Sequence, residues 1–156
     1  MRVERAGTWL HVIALRPAKT GASLIALAGE LVAKPSRHSI QLDETRHIEV
    51  TVELPLGEMM TRYPWRFTNH SCDPNARLAG RALVALRPIA AGEEITYNYN
   101  TSEWELAEPF ECRCGSPACE RTIRGFRFLA RQERERIKPM LAPHLLRRLD
   151  VPASRG

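Results

Sequence analysis

Three of the four cysteines in this 156-residue chain stand together as Cys112-Arg113-Cys114-Gly115-Ser116-Pro117-Ala118-Cys119, and the fourth, Cys72, lies far upstream. Gly115 and Pro117 permit the tight return that brings Cys119 beside Cys112 and Cys114. A structural zinc takes four ligands in a tetrahedron. A three-cysteine knuckle is therefore one thiolate short, and Cys72 is the only other cysteine. Disulfides or unconnected core cysteines are the plain alternatives. Cysteines two apart rarely reach disulfide geometry, and a reducing compartment rarely keeps one, which favours the metal. Such a site would stitch the knuckle onto the loop that carries Cys72. It would also draw the acidic, aromatic segment 101–111 over that loop to close a pocket.

The length suits one domain with a real core, and 44% hydrophobic with 26% charged residues is ordinary for a soluble globular protein. No apolar run approaches the roughly 20 residues of a membrane span. The start, Met1-Arg2-Val3-Glu4-Arg5-Ala6, lacks the apolar core of a secretion signal. The expectation is a reducing setting, cytoplasmic, or nuclear if the chain is eukaryotic. Residues 1–110 carry 12 Lys+Arg against 13 Asp+Glu, and residues 111–156 carry 11 against 5, giving −1 and +6. This basic C-terminal part could touch nucleic acid or an acidic partner, or it could be a solvated helix face. No Lys/Arg block, RNA-binding aromatic signature or helix-turn-helix pattern supports the former.

The first half reads as β. Short apolar or alternating runs at 9–15, 24–27, 31–32, 40–42 and 47–54 are separated by Gly, Pro, Lys and Asp. Ile48 to Leu54 alternates, predicting one buried and one wet face. Residues 55–64 read as a connector, 82–86 as a strand and 95–99 as another extended segment. Beyond the knuckle, Ile137, Leu141, Leu145 and Leu149 are spaced for one helical face, with Arg131, Glu135 and Arg148 off it. Pro139 and Pro143 divide this stretch into two helices, over about 129–138 and 144–149.

Two stretches remain. Arg66-Phe67-Thr68-Asn69-His70-Ser71-Cys72-Asp73-Pro74-Asn75 is polar and turn-rich: Pro74 fixes φ, and Asp73 and Asn75 are expected to bond their own backbone, so Cys72 sits at a corner. Gly92-Glu93-Glu94-Ile95-Thr96-Tyr97-Asn98-Tyr99-Asn100 follows Ile89. With the knuckle, these segments resemble the SET-domain family of protein lysine methyltransferases with a post-SET zinc-binding cysteine knuckle, strongly over 66–119. Ala28-Gly29-Glu30 resembles that family's early Gly-Glu turn, and Val12-Ile13-Ala14 the end of its first motif. The resemblance implies a mainly β fold, a SET-like β-clip of small sheets with a knot-like crossing, plus C-terminal helices, α+β overall. It implies a SET domain over 1–100, a post-SET zinc segment over 101–122 and a helical tail over 123–156.

The resemblance also implies roles. Tyr99 falls on the catalytic tyrosine and would also contact the cofactor, its hydroxyl standing where methyl donor and target amine meet. Tyr97 falls where phenylalanine or tyrosine sets how many methyl groups are added, a tyrosine favouring a monomethyl product. Asn69 and His70 would contact S-adenosylmethionine, Arg66 and Phe67 would frame the pocket, and Phe110 would sit where the knuckle closes over the cofactor or channel. Cys72, Cys112, Cys114 and Cys119 would hold structural Zn2+. The partner implied is a lysine-containing protein or peptide, and the aromatic walls of its channel would come from Tyr63, Tyr97, Tyr99, Trp104 and Phe110. The carboxylates at 103, 105, 108 and 111 could draw in a basic peptide or form a wet loop. In two places the chain departs from the pattern. Thr8-Trp9-Leu10-His11 stands where the family carries Gly-x-Gly, so bulkier residues narrow the cofactor's approach, and Asn98 replaces a common aspartate. A module that keeps fold and zinc but binds a partner without turnover is the alternative reading. A serine-protease-like triad of His70, Ser71 and Asp73 is excluded by their adjacency on one turn.

Overall fold

In the computed structural model, which describes residues 1–152, β1 (Arg2–Ala6) and β2 (Trp9–Ile13) pair antiparallel from Arg2↔Ile13 to Ala6↔Trp9. The sequence gives no alternation over β1, which was not expected as a strand. Further strands are β3 (Ser23–Ala26), β4 (Glu30–Val32), β5 (Ile40–Gln41) and β6 (His47–Glu49), then β7 (Asn69–His70), β8 (Ala76–Ala79), β9 (Ala82–Ala85) and β10 (Thr96–Tyr97). The last two are β11 (Phe110–Glu111) and β12 (Thr122–Ile123). They form four small sheets: β1-β2, β4-β6-β5, β11-β12 and a five-stranded sheet in the order β3-β9-β8-β10-β7. The β8–β9 hairpin closes through Gly80-Arg81, and Gly80 takes φ +58°, the left-handed value that a two-residue connection demands.

Several boundaries differ from the sequence reading. The strand expected over 47–54 stops at Glu49, because the Glu49 carboxylate accepts the Val50 amide at 2.9 Å and takes that donor out of the ladder. Val52 is 48% exposed. The expected connector at 55–64 contains α1 (Leu56–Arg62), which buries only Met59. One buried side chain in seven residues leaves no period to read. Tyr99 has left the strand: the Asn98 side chain accepts from the Asn100 amide at 3.0 Å and turns residues 99–101 into a 3-10 helix. The C-terminal stretch forms α2 (Arg131–Ile137) and α3 (Pro143–Leu146), with a 3-10 turn containing Pro139 between them and Pro143 opening α3.

The main core lies between the sheets and is built on Trp65, Ile48, Leu83, Ile89, Ile95 and Val12. A second cluster, Phe126, Leu129, Ile137, Leu141 and Leu145, anchors the helices as the four-residue spacing predicted. A third surrounds Cys72, Cys112 and Ile123. Tyr99 packs against both the first and the third. The helices are tied to the turn after Tyr99 by Ala142 N–H on the Thr101 carbonyl at 2.8 Å and by the His144 ring on the Ser102 carbonyl at 2.7 Å. No helix among the described residues is long and apolar enough to cross a membrane.

Gly125, at φ +114°, lets two segments touch. A Cβ there would lie 2.6 Å from Glu105 Cα and 2.7 Å from the Trp104 carbonyl. Gly125→Ala is expected to destabilise the fold by about 2–4 kcal/mol, combining backbone strain with overpacking against main chain, read as a lowered denaturant midpoint.

Candidate active site

The site is made by one crossing. β10 pairs parallel with β7 on one side (Thr96↔Asn69, Tyr97↔His70) and with β8 on the other (Tyr97↔Ala76). The segment ending at Tyr99 therefore runs between two strands that the 71–75 turn joins. Asn75 locks the arch over it: its amide donates to the Glu94 carbonyl at 2.7 Å and to Glu93 Oε1 at 3.0 Å, and its Oδ1 accepts the Thr96 amide at 3.0 Å. This corrects the expectation that Asn75 bonds its own backbone. Within the turn it is instead Ser71 Oγ that accepts the Asp73 amide, at 3.1 Å. The Asn75 amide, the Ala90 amide and Arg87 together hold the Glu93 carboxyl down at about 2.

The arch places His70 against Tyr99. His70 Nδ1 accepts the Tyr99 amide at 3.1 Å, and burial pushes the ring down to about 4, so it is neutral. A neutral ring that accepts at Nδ1 carries its proton on Nε2, which lies 3.3 Å from Cys72 Sγ. One imidazole thus touches both the tyrosine and a cysteine of the knuckle site. The Tyr99 hydroxyl donates to the Thr68 carbonyl at 2.8 Å, leaving its oxygen lone pairs unclaimed by that bond. Burial raises the Tyr97 and Tyr99 hydroxyls well above their ordinary range, so both stay neutral. The rings form one group: Tyr97 to Tyr99 at 4.8 Å, His70 to Tyr99 at 5.2 Å, His70 to Phe110 at 5.7 Å and Tyr99 to Phe110 at 5.9 Å.

Beside this group, the Sγ atoms of Cys72, Cys112, Cys114 and Cys119 all lie within 4.8 Å of one another, and none is in a disulfide. Tetrahedral zinc with Zn–S bonds of about 2.3 Å needs sulfurs about 3.8 Å apart, and Cys72 to Cys112 is 4.0 Å. The four thiols fit zinc without rearrangement of the chain. Arg136 of α2 fastens the site from outside, donating to the Cys72 carbonyl at 3.3 Å and to Glu120 Oε1 at 2.6 Å.

Of the residues expected at the site, Tyr97, Tyr99, His70, Phe110 and the four cysteines come together. Asn69 adjoins them, with both amide protons spent on the Leu10 carbonyl (3.0 Å) and Glu94 Oε1 (2.9 Å). Arg66 and Phe67 lie on the 3-10 turn before it. The Arg66 guanidinium contacts Met59 Sδ at 3.6 Å, and Phe67 packs on the main core. Trp104 is not in the aromatic group. It faces Phe126 at 6.1 Å under Arg148, while Tyr63 caps α1 under Arg62. The carboxylates separate too. Glu105 pairs with Arg127, Glu108 with Arg37 at 3.6 Å, and Glu111 accepts the Thr122 hydroxyl at 2.8 Å. Glu103 is neither wet nor peptide-facing but 4% exposed. The basic tail is partly internal as well: Arg134 is 3% exposed and donates to the Leu129, Arg127 and Leu149 carbonyls.

An arched loop around a parallel strand, with an aromatic group on one side and a thiol cluster on the other, defines a knotted β-clip of the kind expected from the motifs. The SET domain family matches residues 10–100, and the chain belongs to it. Among similar proteins, the Histone-lysine N-methyltransferase ash1 of Drosophila melanogaster is 32% identical over 140 residues, 81% of this chain and 6% of that protein. An H3 lysine-36 specific histone-lysine N-methyltransferase of Coccidioides immitis is 36% identical over 113 residues, 62% of this chain and 11% of its own length. The fold is shared with KRYPTONITE in complex with mCHG DNA and SAH, at a TM-score of 0.55 and 19% identity over 77% of this chain and 28% of that one. The chain thus spans a small part of each of these proteins.

Proposed function

We propose that the chain is an S-adenosylmethionine-dependent protein lysine N-methyltransferase with a structural zinc. The observation that carries this is the hydrogen-bonded line from Tyr99 through His70 to Cys72, which joins an uncharged aromatic pocket to the thiol cluster. In this proposal 1–100 is the SET body, 101–122 the post-SET segment and 123–156 the helical tail, whose residues 153–156 lie outside the described ones. S-adenosylmethionine supplies an electrophilic methyl on a sulfonium. The pocket suits it: neutral His70, Tyr97 and Tyr99 place no cation beside a cation, and aromatic faces attract one. Asn69, His70, Arg66, Phe67, Tyr99 and Phe110 would bind the donor.

The chain's own residues then have little acid–base work and much positioning to do. With its O–H donated to the Thr68 carbonyl, Tyr99 turns an oxygen lone pair to the reacting centre. Tyr97 narrows the space beside it, so a monomethyl product is favoured. The substrate is a lysine-containing protein or peptide, the relatives' names pointing to histone H3. A cytoplasmic or nuclear setting belongs to the same proposal, because thiolate ligands need a reducing compartment. The rival reading is a binding module without turnover. It draws on Trp9, 72% exposed, and His11, where the family has glycines.

Calorimetry with S-adenosylhomocysteine, followed by incubation with labelled methyl donor and histone H3 or a lysate, tests the proposal. Donor binding plus a labelled lysine is expected, and a protein that binds no donor is the module instead. Tyr97→Phe is expected to shift the product mass from one added methyl towards two or three, read by mass spectrometry on the same peptide.

A further inference from the structure

Three of the four thiols are neighbours by sequence, on residues 112–119, whereas Cys72 comes from 40 residues before Cys112. It sits on the turn between β7 and β8, outside either strand. The site is only as durable as the hold on that one remote ligand. The hold is a closed circuit of three residues. The amide of Glu120, the residue after Cys119, donates to Cys72 Sγ at 3.5 Å. The Glu120 carboxylate accepts Arg136 Nη2 at 2.6 Å, and Arg136 Nη1 donates back to the Cys72 carbonyl at 3.3 Å. The third nitrogen, Nε, is spent on Glu133 Oε2 of the same helix at 2.8 Å, which fixes the plane of the guanidinium. A planar fork suits this task, because its donors leave in set directions and span two acceptors at once. Cys72 is buried, and the Glu120 and Arg136 side chains are only partly exposed. The same tail grips the other wall of the crossing, where the Ala142 amide and the His144 ring meet the Thr101 and Ser102 carbonyls beyond Tyr99.

We propose that Arg136 is a positioning residue for the metal: it latches Cys72 to the knuckle and thereby sets how long the zinc stays. The inference rests on the structural-zinc part of the reading above. A four-ligand site releases its ion one ligand at a time, and it recloses only when the freed ligand remains close. With the circuit intact, a Cys72 sulfur that lets go of the ion is still held beside the other three. Without Arg136 the corner carrying Cys72 is free to move off, and the ion is left on the knuckle with three thiolates. Groups that orient metal ligands from behind account for about 10–100-fold in affinity. The latch also acts before the ion arrives, since ligands already gathered lose less motion on binding. The four sulfurs lie within 4.8 Å of one another through the chain's own contacts. Because Cys72 Sγ lies 3.3 Å from His70 Nε2, the tail helix reaches the aromatic pocket by the same route.

Arg136→Met keeps the apolar stem and removes every donor. Zinc release from the purified, zinc-loaded protein to a chromogenic chelator is expected to quicken at least about tenfold. Excess zinc should return S-adenosylhomocysteine affinity to within about twofold of wild type, a rescue by mass action that a packing defect would not allow. Arg136→Lys keeps the charge but offers one point in place of a fork, so it should release zinc nearly as fast as Arg136→Met. Glu120→Ala removes the fork's other anchor and should quicken release as well, with the double variant no faster than Arg136→Met alone. A wild-type release rate in Arg136→Met or in Arg136→Lys overturns the latch, as do Arg136 and Glu120 effects that simply multiply. Should Arg136→Met fail to fold, Glu120→Ala decides in its place, and wild-type release there overturns the proposal. The release assay needs no methyl donor. A wild-type chain that holds zinc but binds no donor therefore overturns the methyltransferase reading and not this one, while a wild-type chain that takes up no zinc overturns the structural-zinc reading itself.

Discussion

Cys119→Ser is expected to remove the bound zinc, abolish methyl transfer and release the backbone between about residues 110 and 123 to hydrogen exchange. The site joins segments far apart in the chain, Cys72 on the arched loop and three cysteines on the knuckle. Apart from Arg136 on Glu120 and the Cys72 carbonyl, little else holds the knuckle: β11 and β12 are two residues each and pair only with one another. A four-thiolate zinc contributes on the order of 10–16 kcal/mol at neutral pH, well above what two short strands supply. Losing one ligand also frees Cys72, whose Sγ lies 3.3 Å from His70 Nε2, to turn away from that ring. His70 then loses one of the two contacts that orient it under Tyr99. Zinc stoichiometry by metal analysis, exchange protection of 110–123 and activity should fall together. Full zinc content with full activity in the variant would refute the clasp.

How much of this was legible follows from whether a residue's chemistry has one use or several. Cysteine at metal spacing has few uses, so Cys72 and the knuckle could be joined from the sequence alone, and the pairing of Tyr97 with Tyr99 came from a motif rich in constrained residues. The route differed from expectation, since Tyr99 reaches Tyr97 through a 3-10 turn rather than a strand pleat. Charged residues have many uses, and their placement was not legible. Glu103 sits among exposed carboxylates at 105, 108 and 111, and only the fold of β5 and β6 around it makes it a buried group. Arg134 and Arg136 likewise read as part of a solvated basic face, yet one is inside the helical core and the other is bound to the Cys72 carbonyl. Asn75 was read for its local turn propensity, whereas its bonds are to a strand about 20 residues away. Short elements such as β8 and α1 present too few periods for a pattern to appear.

Tyr99→Phe is expected to lower kcat by about 10²–10³-fold while leaving S-adenosylhomocysteine affinity within about threefold of wild type. The change deletes one oxygen. The ring contacts to His70, Tyr97 and Phe110 remain, so the pocket that would hold the donor keeps its walls. What goes is the dipole fixed by the Thr68 carbonyl, whose acceptor is then left without the hydroxyl at 2.8 Å. A preorganised polar group aimed at a reacting centre in a dry site is worth about that much in rate, whereas one aromatic hydroxyl adds little to ground-state binding. The split between kcat and binding is what distinguishes a group at the reacting centre from a packing residue, since a packing defect would weaken donor affinity and lower the melting temperature together. Wild-type turnover by this variant would remove Tyr99 from the chemistry and leave the arch, the aromatic group and the thiol site as a scaffold for binding alone.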